Sequence, residues 1–430
     1  MCRYIIRLAL IVIGAVSPAC AHNILLGVNP HLMSNRGAQE AELPLIRDIG
    51  FNAVRDDALW SVVEERKGNY KIPPAWDAYV SDARRFGIEP LIILDYGNKF
   101  YDDSEKPRSP AAIAGFVRYA SFVVKHFRGQ VNYFEIWNEW DTHAGGAPSG
   151  DAADYARLFD AVFPALKKID PTAVFLASAS AGGNDRWYKQ MARIGIASRA
   201  DGVAVHPYVY PVRRRSGVRS PGDEAERSAQ EVVNIEKTMR QFNGGREVPI
   251  YITEIGWTTS HDASGVKDQT AASLAQRALL LFSSLPYVHG VWWYDFVDDG
   301  SNAANSQDRF GVVHQNLSYK LTATAIRQIA RLIKNNDLTI GRASNLSKGL
   351  VVLNRNVPGE ASIIAWHVGD AGSPNGTQRA WKYVIACDPA LTTERTASGN
   401  STQSLKITAT PTEFSYHRSG CMHKHIQQAN

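Results

Sequence analysis

Phe134–Glu139 (FEIWNE) and Tyr251–Trp257 (YITEIGW) are two apolar, strand-like segments, and each leads to a glutamate. The two glutamates are Glu139 and Glu254. A carboxylate at the end of a buried strand costs free energy unless the protein uses the charge or pairs it. Both segments therefore indicate buried strands that carry a carboxylate to a position where its charge is used or paired.

Short apolar segments of this kind recur from about Asn23 to Lys334, where they alternate with amphipathic helical patterns. Eight strands are predicted, at residues 24–30, 52–59, 90–96, 133–139, 173–178, 202–208, 249–255 and 290–297. Pro73-Pro74 and Ser109-Pro110 begin two of the helices between them. Further helices are predicted at residues 151–169, 224–241, 269–284 and 322–334.

Eight strand–helix units predict a (β/α)8 TIM barrel of the α/β class, whose strands are apolar throughout because both faces are covered. A doubly wound open sheet is the rival, but Gly182-Gly183 lacks the rest of a dinucleotide-binding turn. The barrel is predicted over residues 22–335. Short β-prone segments then predict a small antiparallel β-sandwich-like module at 336–418, followed by a polar tail at 419–430.

The first 21 residues have the pattern of a signal peptide. Arg3 and Arg7 precede an apolar run from Leu8 to Val16, and Ala19-Cys20-Ala21 forms a cleavage site. A lipid-modified Cys20 is the weaker alternative, because the residues before it match a lipobox poorly. The apolar run is too short for a stable membrane span. We therefore expect an exported protein, periplasmic or secreted.

Net charge and cysteine content limit the classes of partner and the kinds of cross-link that the sequence predicts. The net charge of +5 falls to +3 when Arg3 and Arg7 leave, which is too small to indicate a nucleic-acid partner. Cys387 and Cys421 would remain, either as a disulfide in an oxidising compartment or as two unrelated thiols. We expect a monomer.

The two glutamates predict the chemistry. A TIM barrel carries its active site at the carboxyl ends of its strands, so Glu139 on strand four and Glu254 on strand seven should share one mouth. Two carboxylates that flank a glycosidic bond can serve as acid/base and nucleophile, without a metal or organic cofactor. The alternative is a pair of structural carboxylates balanced by Arg55 and another cation. A metal-dependent hydrolase would need His and Asp clusters at the strand ends, and His206 alone does not provide one.

The Trp-Asn-Glu of strand four and the Thr-Glu-Ile-Gly-Trp of strand seven resemble the signatures of clan A retaining glycoside hydrolases. The pattern is most similar to family 39-like enzymes that act on exported or biofilm exopolysaccharide. The resemblance covers the barrel. It implies Glu139 as acid/base, Glu254 as nucleophile, and cleavage of the O-glycosidic bonds of a polysaccharide or oligosaccharide with net retention.

The resemblance also implies roles for other residues. Asn138 would hydrogen-bond the sugar 2-hydroxyl, and Arg55 would keep the nucleophile ionised. Tyr208 and, with less weight, His206 would lie near the nucleophile. The remaining substrate-binding residues that the sequence predicts are Trp257, Trp293, Tyr294 and Asp298. Packing is the alternative for the tryptophans, and Glu135 is interpreted as a buried partner of Arg55.

Two further features of the sequence bear on the subfamily and on the substrate. Trp140 follows the acid/base where many clan members have proline, which leaves the subfamily open. A cluster of four arginines after strand six would favour an anionic polysaccharide or simply face solvent: Arg213, Arg214, Arg215 and Arg219. A non-catalytic polysaccharide-binding or assembly protein, and a transglycosylase, are the alternative functions.

Overall fold

A computed structural model describes residues 24–34, 37–210, 222–333, 338–340, 350–357, 360–367, 380–387, 400–406, 411–417 and 421–428. Its first eight strands form a closed parallel barrel in sequence order, with strand eight pairing back to strand one. The TIM barrel prediction is confirmed.

The barrel strands lie close to their predicted places. They are β1 (Leu25–Val28), β2 (Ala53–Leu59), β3 (Glu89–Asp95), β4 (Tyr133–Ile136), β5 (Val174–Ala177), β6 (Gly202–Val205), β7 (Ile250–Ile255) and β8 (Val288–Trp293). The helices are α1 (Gln39–Ile49), α2 (Trp60–Val63), α3 (Pro74–Arg85), α4 (Pro110–His126), α5 (Ala152–Ile169), α6 (Asp185–Ile194), α7 (Glu224–Phe242), α8 (Asp268–Ser283) and α9 (Leu321–Ile333).

Two predictions about the elements need correction. β4 ends at Ile136, so Glu139 lies three residues beyond the strand rather than at its end. Helices α1, α2 and α6 were not predicted. α1 contains Pro44, which disfavours a helix interior, and α6 is polar apart from a narrow buried stripe that includes Trp187 and Met191.

The barrel interior is filled by large side chains from β7 and β8. Tyr251 and Trp292 pack with small and aliphatic residues of the other strands. Glycines make room for them: a Cβ at Gly27 would lie 2.1 Å from Trp292, and one at Gly202 would lie 2.6 Å from Tyr251. The lower barrel is therefore a packed core, which leaves the carboxyl ends of the strands as the place for polar groups.

The residues after the barrel form two antiparallel sheets, with strand orders β14-β11-β10-β9 and β13-β12-β15. Their strands are β9 (Leu338–Ile340), β10 (Leu350–Val357), β11 (Glu360–His367), β12 (Ala380–Cys387), β13 (Asn400–Lys406), β14 (Thr412–His417) and β15 (Cys421–Gln428). The polar tail predicted at 419–430 is mostly strand β15, because its backbone pairs with β12. Cys387 lies opposite Cys421 in that pairing. Both a disulfide and two separate thiols are compatible with this register.

No helix in the described ranges combines the length and the apolar character needed to cross a membrane.

Candidate active site

A buried arginine organises the carboxyl end of the barrel. Arg55 on β2 is 2% exposed and donates hydrogen bonds to groups from three other strands. Its Nε donates to Glu135 Oε2 at 2.9 Å, and its Nη1 donates to Glu254 Oε1 at 2.7 Å. Nη1 also contacts Asn29 Oδ1 at 3.1 Å, and Nη2 contacts Asn138 Oδ1 at 2.9 Å. The expected pairing of Glu135 with Arg55 is present.

Glu254 on β7 is the carboxylate that the site holds ionised. Its Oε2 accepts a hydrogen bond from the Tyr208 hydroxyl at 3.1 Å, while Oε1 accepts from Arg55. Burial alone would raise the pKa of Glu254, but the charges of His206 and Arg55 and the hydrogen bonds from Arg55 and Tyr208 lower it below its ordinary value. An ionised carboxylate at neutral pH is able to act as a nucleophile.

The position of Glu139 is set by a backbone turn with positive φ angles rather than by a strand. After β4, Trp137 and Glu139 adopt φ angles of 71° and 45°, in the left-handed region that side chains other than glycine rarely enter. Local contacts hold this turn: the Trp137 amide donates to Leu94 O at 3.1 Å, and the Thr142 amide donates to Glu139 O at 3.1 Å. The result is a carboxylate 17% exposed at the mouth.

A second set of contacts anchors the loop that follows Glu139. The buried Lys106 Nζ donates to Thr142 O at 3.0 Å and to Pro148 O at 2.9 Å. Trp140 is fully buried and donates from Nε1 to Asp151 O at 3.0 Å, so the residue that replaces proline here fastens the loop to the start of α5. Burial lowers the pKa of Lys106 to about 8.

His206, just beyond β6, lies between the two glutamates. Its Nδ1 is 2.8 Å from Glu139 Oε1 and 3.7 Å from Glu254 Oε2, and its Nε2 is 2.9 Å from Thr253 Oγ1. Burial lowers the pKa of His206, but the charge of Glu254 and the hydrogen bond to Glu139 outweigh burial and raise it. Sequence analysis ranks Tyr208 above His206 as a site residue, but His206 is the residue whose ring lies near both carboxylates.

The predicted aromatic residues take different positions. Trp293 is fully buried, and its ring lies 5.8 Å from that of Trp257, which donates to Val209 O at 2.9 Å. Both pack behind the site. Tyr294 is half-buried, with its ring edge-on to His31 at 5.6 Å and to Phe310 at 5.5 Å. Of the adjacent pair 293 and 294, Tyr294 is therefore the one positioned at the mouth.

Asp298 is predicted from the sequence to bind substrate, and that role stays a prediction; its own contacts are with the long loop that follows β8. It is 2% exposed, and its Oδ1 accepts hydrogen bonds from Lys320 Nζ and from the Gly311 amide at 3.1 Å. This buried ion pair holds together the long loop after β8. A strand-end position alone could not reveal it, because Lys320 lies 22 residues further along the chain.

Sequence reasoning missed Asn29 and Tyr96. Asn29 follows β1, and besides contacting Arg55 it donates from Nδ2 to Trp293 O at 3.1 Å. The Tyr96 hydroxyl accepts from Asn138 Nδ2 at 2.8 Å. Both residues directly follow a strand end at the mouth, and this position was the signal that would have identified them. The arginines predicted to select an anionic substrate lie outside the described residues.

One oxygen of Glu139, one of Glu254 and one ring nitrogen of His206 lie within 4.8 Å of one another. In chemical type they are a possible donor set for a divalent cation. The guanidinium of Arg55, 2.7 Å from Glu254, already places a positive charge there, and a metal ion at the same carboxylate would be repelled by it. The set fits a pair of reacting carboxylates better than a metal centre.

One known protein family has a sequence pattern that this chain matches. The sequence pattern of glycosyl hydrolases family 39 matches residues 116–369, more than half of the chain. No curated protein matches the chain. Several solved structures share its fold.

A family 39 glycoside hydrolase from the gut symbiont Bacteroides cellulosilyticus WH2 has a TM-score of 0.69 and 23% identity, over 95% of this chain and 82% of that one. A monomeric β-xylosidase from Caulobacter crescentus CB15 has a TM-score of 0.60 and 16% identity, over 93% and 95%. The GH39 enzyme from Xanthomonas axonopodis pv. citri has a TM-score of 0.57 and 15% identity, over 96% and 92%. At these sequence identities, the structural similarities show a shared fold and no more.

The contacts of Arg55 predict how Glu254 titrates. In Arg55→Met the pKa of Glu254 should rise, because burial then acts without the guanidinium that opposes it. Carboxyl carbon chemical shifts followed through a pH titration measure this. Arg55→Lys keeps a charge and should shift the pKa less, and Tyr208→Phe, which removes one hydrogen bond, should shift it in the same direction. An unchanged or lower pKa in Arg55→Met would contradict the interpretation.

Proposed function

This chain belongs to glycosyl hydrolase family 39 and is a retaining glycoside hydrolase, and we propose that Glu254 is its nucleophile and Glu139 its acid/base. The observation that carries the assignment is the difference between the two carboxylates. Glu254 accepts hydrogen bonds from Arg55 and Tyr208, which stabilise its ionised form. Glu139 is more exposed and contacts His206 and Thr142, neither of which is a fixed cation.

In the first step, a Glu254 oxygen attacks the anomeric carbon and forms an ester bond to it. The bond from that carbon to the leaving oxygen breaks, and Glu139 transfers its proton to this oxygen. Arg55 holds Glu254 in place for the attack, since two of its other donors are fixed on Glu135 and Asn138. Asn138 is in turn held by Tyr96, and we propose that its remaining amide hydrogen bonds the 2-hydroxyl of the sugar that Glu254 attacks.

In the second step, the deprotonated Glu139 takes a proton from a water molecule. The water oxygen bonds to the anomeric carbon, the ester bond to Glu254 breaks, and the carboxylate is regenerated. Two inversions give net retention. His206 Nδ1 lies 2.8 Å from Glu139 and 3.7 Å from Glu254. The ring can therefore interact with whichever of the two carboxylates is charged at each step.

The substrate is proposed to be a polysaccharide or oligosaccharide outside the cytoplasm, of the kind that forms an exopolysaccharide. Support for export comes from the leader pattern, with Arg3 and Arg7, the apolar run and the Ala19-Cys20-Ala21 site. A net charge of +3 for the mature chain is compatible with neutral and acidic polymers alike. The chain is proposed to act as a monomer.

We expect the mature chain to release new reducing ends from at least one member of a panel of neutral and anionic exopolysaccharides. Glu254→Gln should be inactive on the same polymer with its fold unchanged, because the amide cannot form the ester. Full activity of Glu254→Gln would contradict the assignment.

The leader pattern makes a separate prediction. The intact mass of the exported protein should correspond to a chain that begins at His22. An uncleaved leader would contradict export by this route.

The acid/base role of Glu139 predicts a dependence on the leaving group. Glu139→Ala should lose about 10²–10⁴-fold in kcat on the polysaccharide, where the leaving oxygen needs a proton. On a 2,4-dinitrophenyl glycoside the first step should survive, and added azide should accelerate turnover and give a glycosyl azide of retained configuration. Glu65→Gln, at an exposed glutamate, is the matched control. Equal losses on both substrates, without azide rescue, would be inconsistent with the role.

A further inference from the structure

We propose that a cavity at the same end of the barrel as the two glutamates binds a second sugar unit of the substrate, and that this unit carries no carboxylate. The proposal rests on the proposed glycosidase function and adds a binding site to it. The cavity has a volume of about 560 Å³, within the roughly 300–1,000 Å³ typical of ligand pockets. It lies at the carboxyl end of the barrel, between the residues that follow β1 and the long loop that follows β8.

The cavity adjoins the reacting centre through aromatic residues. His31 lines it, and the ring of Tyr294 lies 5.6 Å from that of His31. Tyr294 contacts Phe310, whose ring is 6.3 Å from that of Tyr208, the residue that donates to Glu254. Asn29, which contacts Arg55, is separated from His31 only by Pro30. Within the proposal, this is the side of the mouth along which a chain of sugars bound at Glu254 extends into the cavity.

The polar lining suits hydroxyl or amine groups. Besides His31, it consists of Asp298, Asp299, Gln307, Asp308 and Gln315. Carboxylates accept hydrogen bonds from hydroxyl and ammonium groups, and the glutamine amides both donate and accept. A uronic acid would bring its carboxylate close to Asp299 and Asp308 and be repelled, whereas the charge of Asp298 is balanced by Lys320. The lining thus selects an uncharged sugar or an amino sugar at this position.

A buried acceptor in the lining is incompletely satisfied. The Oδ1 of Asp298 is bound by Lys320 and by the Gly311 amide. Its Oδ2 is buried, lies 3.5 Å from both Arg309 Nη1 and His314 Nδ1, and accepts no hydrogen bond from the described part of the chain. A buried acceptor of this kind costs free energy until a donor reaches it.

The nearby cations do not reverse this selection. Lys320 is buried and its Nζ is bound to Asp298 Oδ1, and Arg309 approaches the same carboxylate from its other oxygen. Neither lines the cavity, whereas Asp299 and Asp308 do. Apart from His31, the ionisable side chains that a ligand meets directly are therefore carboxylates.

The double variant Gln307→Ala/Gln315→Ala tests the site, because both side chains are exposed and neither belongs to the catalytic machinery. Binding is measured by calorimetry in a Glu254→Gln background with xylotetraose, cellotetraose, chitosan tetrasaccharide and tetragalacturonate. We expect at least one of the first three to bind, and the double variant to weaken its binding about fivefold or more through two lost hydrogen bonds. Gln241→Ala, an exposed glutamine at the end of α7, is the matched control.

In the wild-type background, the same double variant should leave hydrolysis of an aryl monoglycoside within about twofold of normal and raise KM for the longer substrate. Equal effects on both substrates, unchanged binding in the variant, preference for tetragalacturonate, or no binding of any of the four would each overturn the proposal. Failure of the proposed function would appear differently, as a wild-type protein that turns over no glycoside while the binding difference persists.

Discussion

The site depends on one buried cation. Arg55 lies inside the barrel mouth, where an unpaired charge would cost several kcal/mol, and its donors are satisfied by groups from β1, β4 and β7. The guanidinium is planar, so its fixed donors also fix the directions in which these groups lie. Glu254 is therefore ionised and oriented by the same contact. A lysine could supply the charge but not this geometry.

The second carboxylate is placed by a different physical device. Glu139 stands on a turn with two residues in the left-handed backbone region, which the chain adopts only because surrounding contacts compensate for the conformational cost. Lys106 and Trp140 fasten the loop that follows, and His206 contacts the carboxylate itself. One glutamate is thus paired with a fixed cation, while the other is more exposed and has no such cation among its contacts in the described residues. This division of roles is what a double displacement needs.

The sequence was most informative where periodicity and strand position decide the outcome. Eight apolar segments predicted the barrel, and the strand-end rule brought Glu139, Glu254 and Arg55 to one mouth, because parallel strands end at the same edge. The rule does not predict contacts that depend on the course of long loops. Asp298 follows a strand, but its partner Lys320 comes from a distant part of the chain. The turn at Glu139 could not be predicted, because no glycine marks its positive φ angles.

The central claim is that Glu254 forms a covalent bond to the sugar. The most direct test uses the activated 2-deoxy-2-fluoro analogue of whichever glycoside the wild-type enzyme cleaves, which slows the second step more than the first. After digestion, mass spectrometry should locate one fluoroglycosyl group on the peptide that contains Glu254, and the label should be absent from Glu254→Gln. A label on Glu139, or an enzyme that turns over the analogue without becoming labelled, would contradict the account.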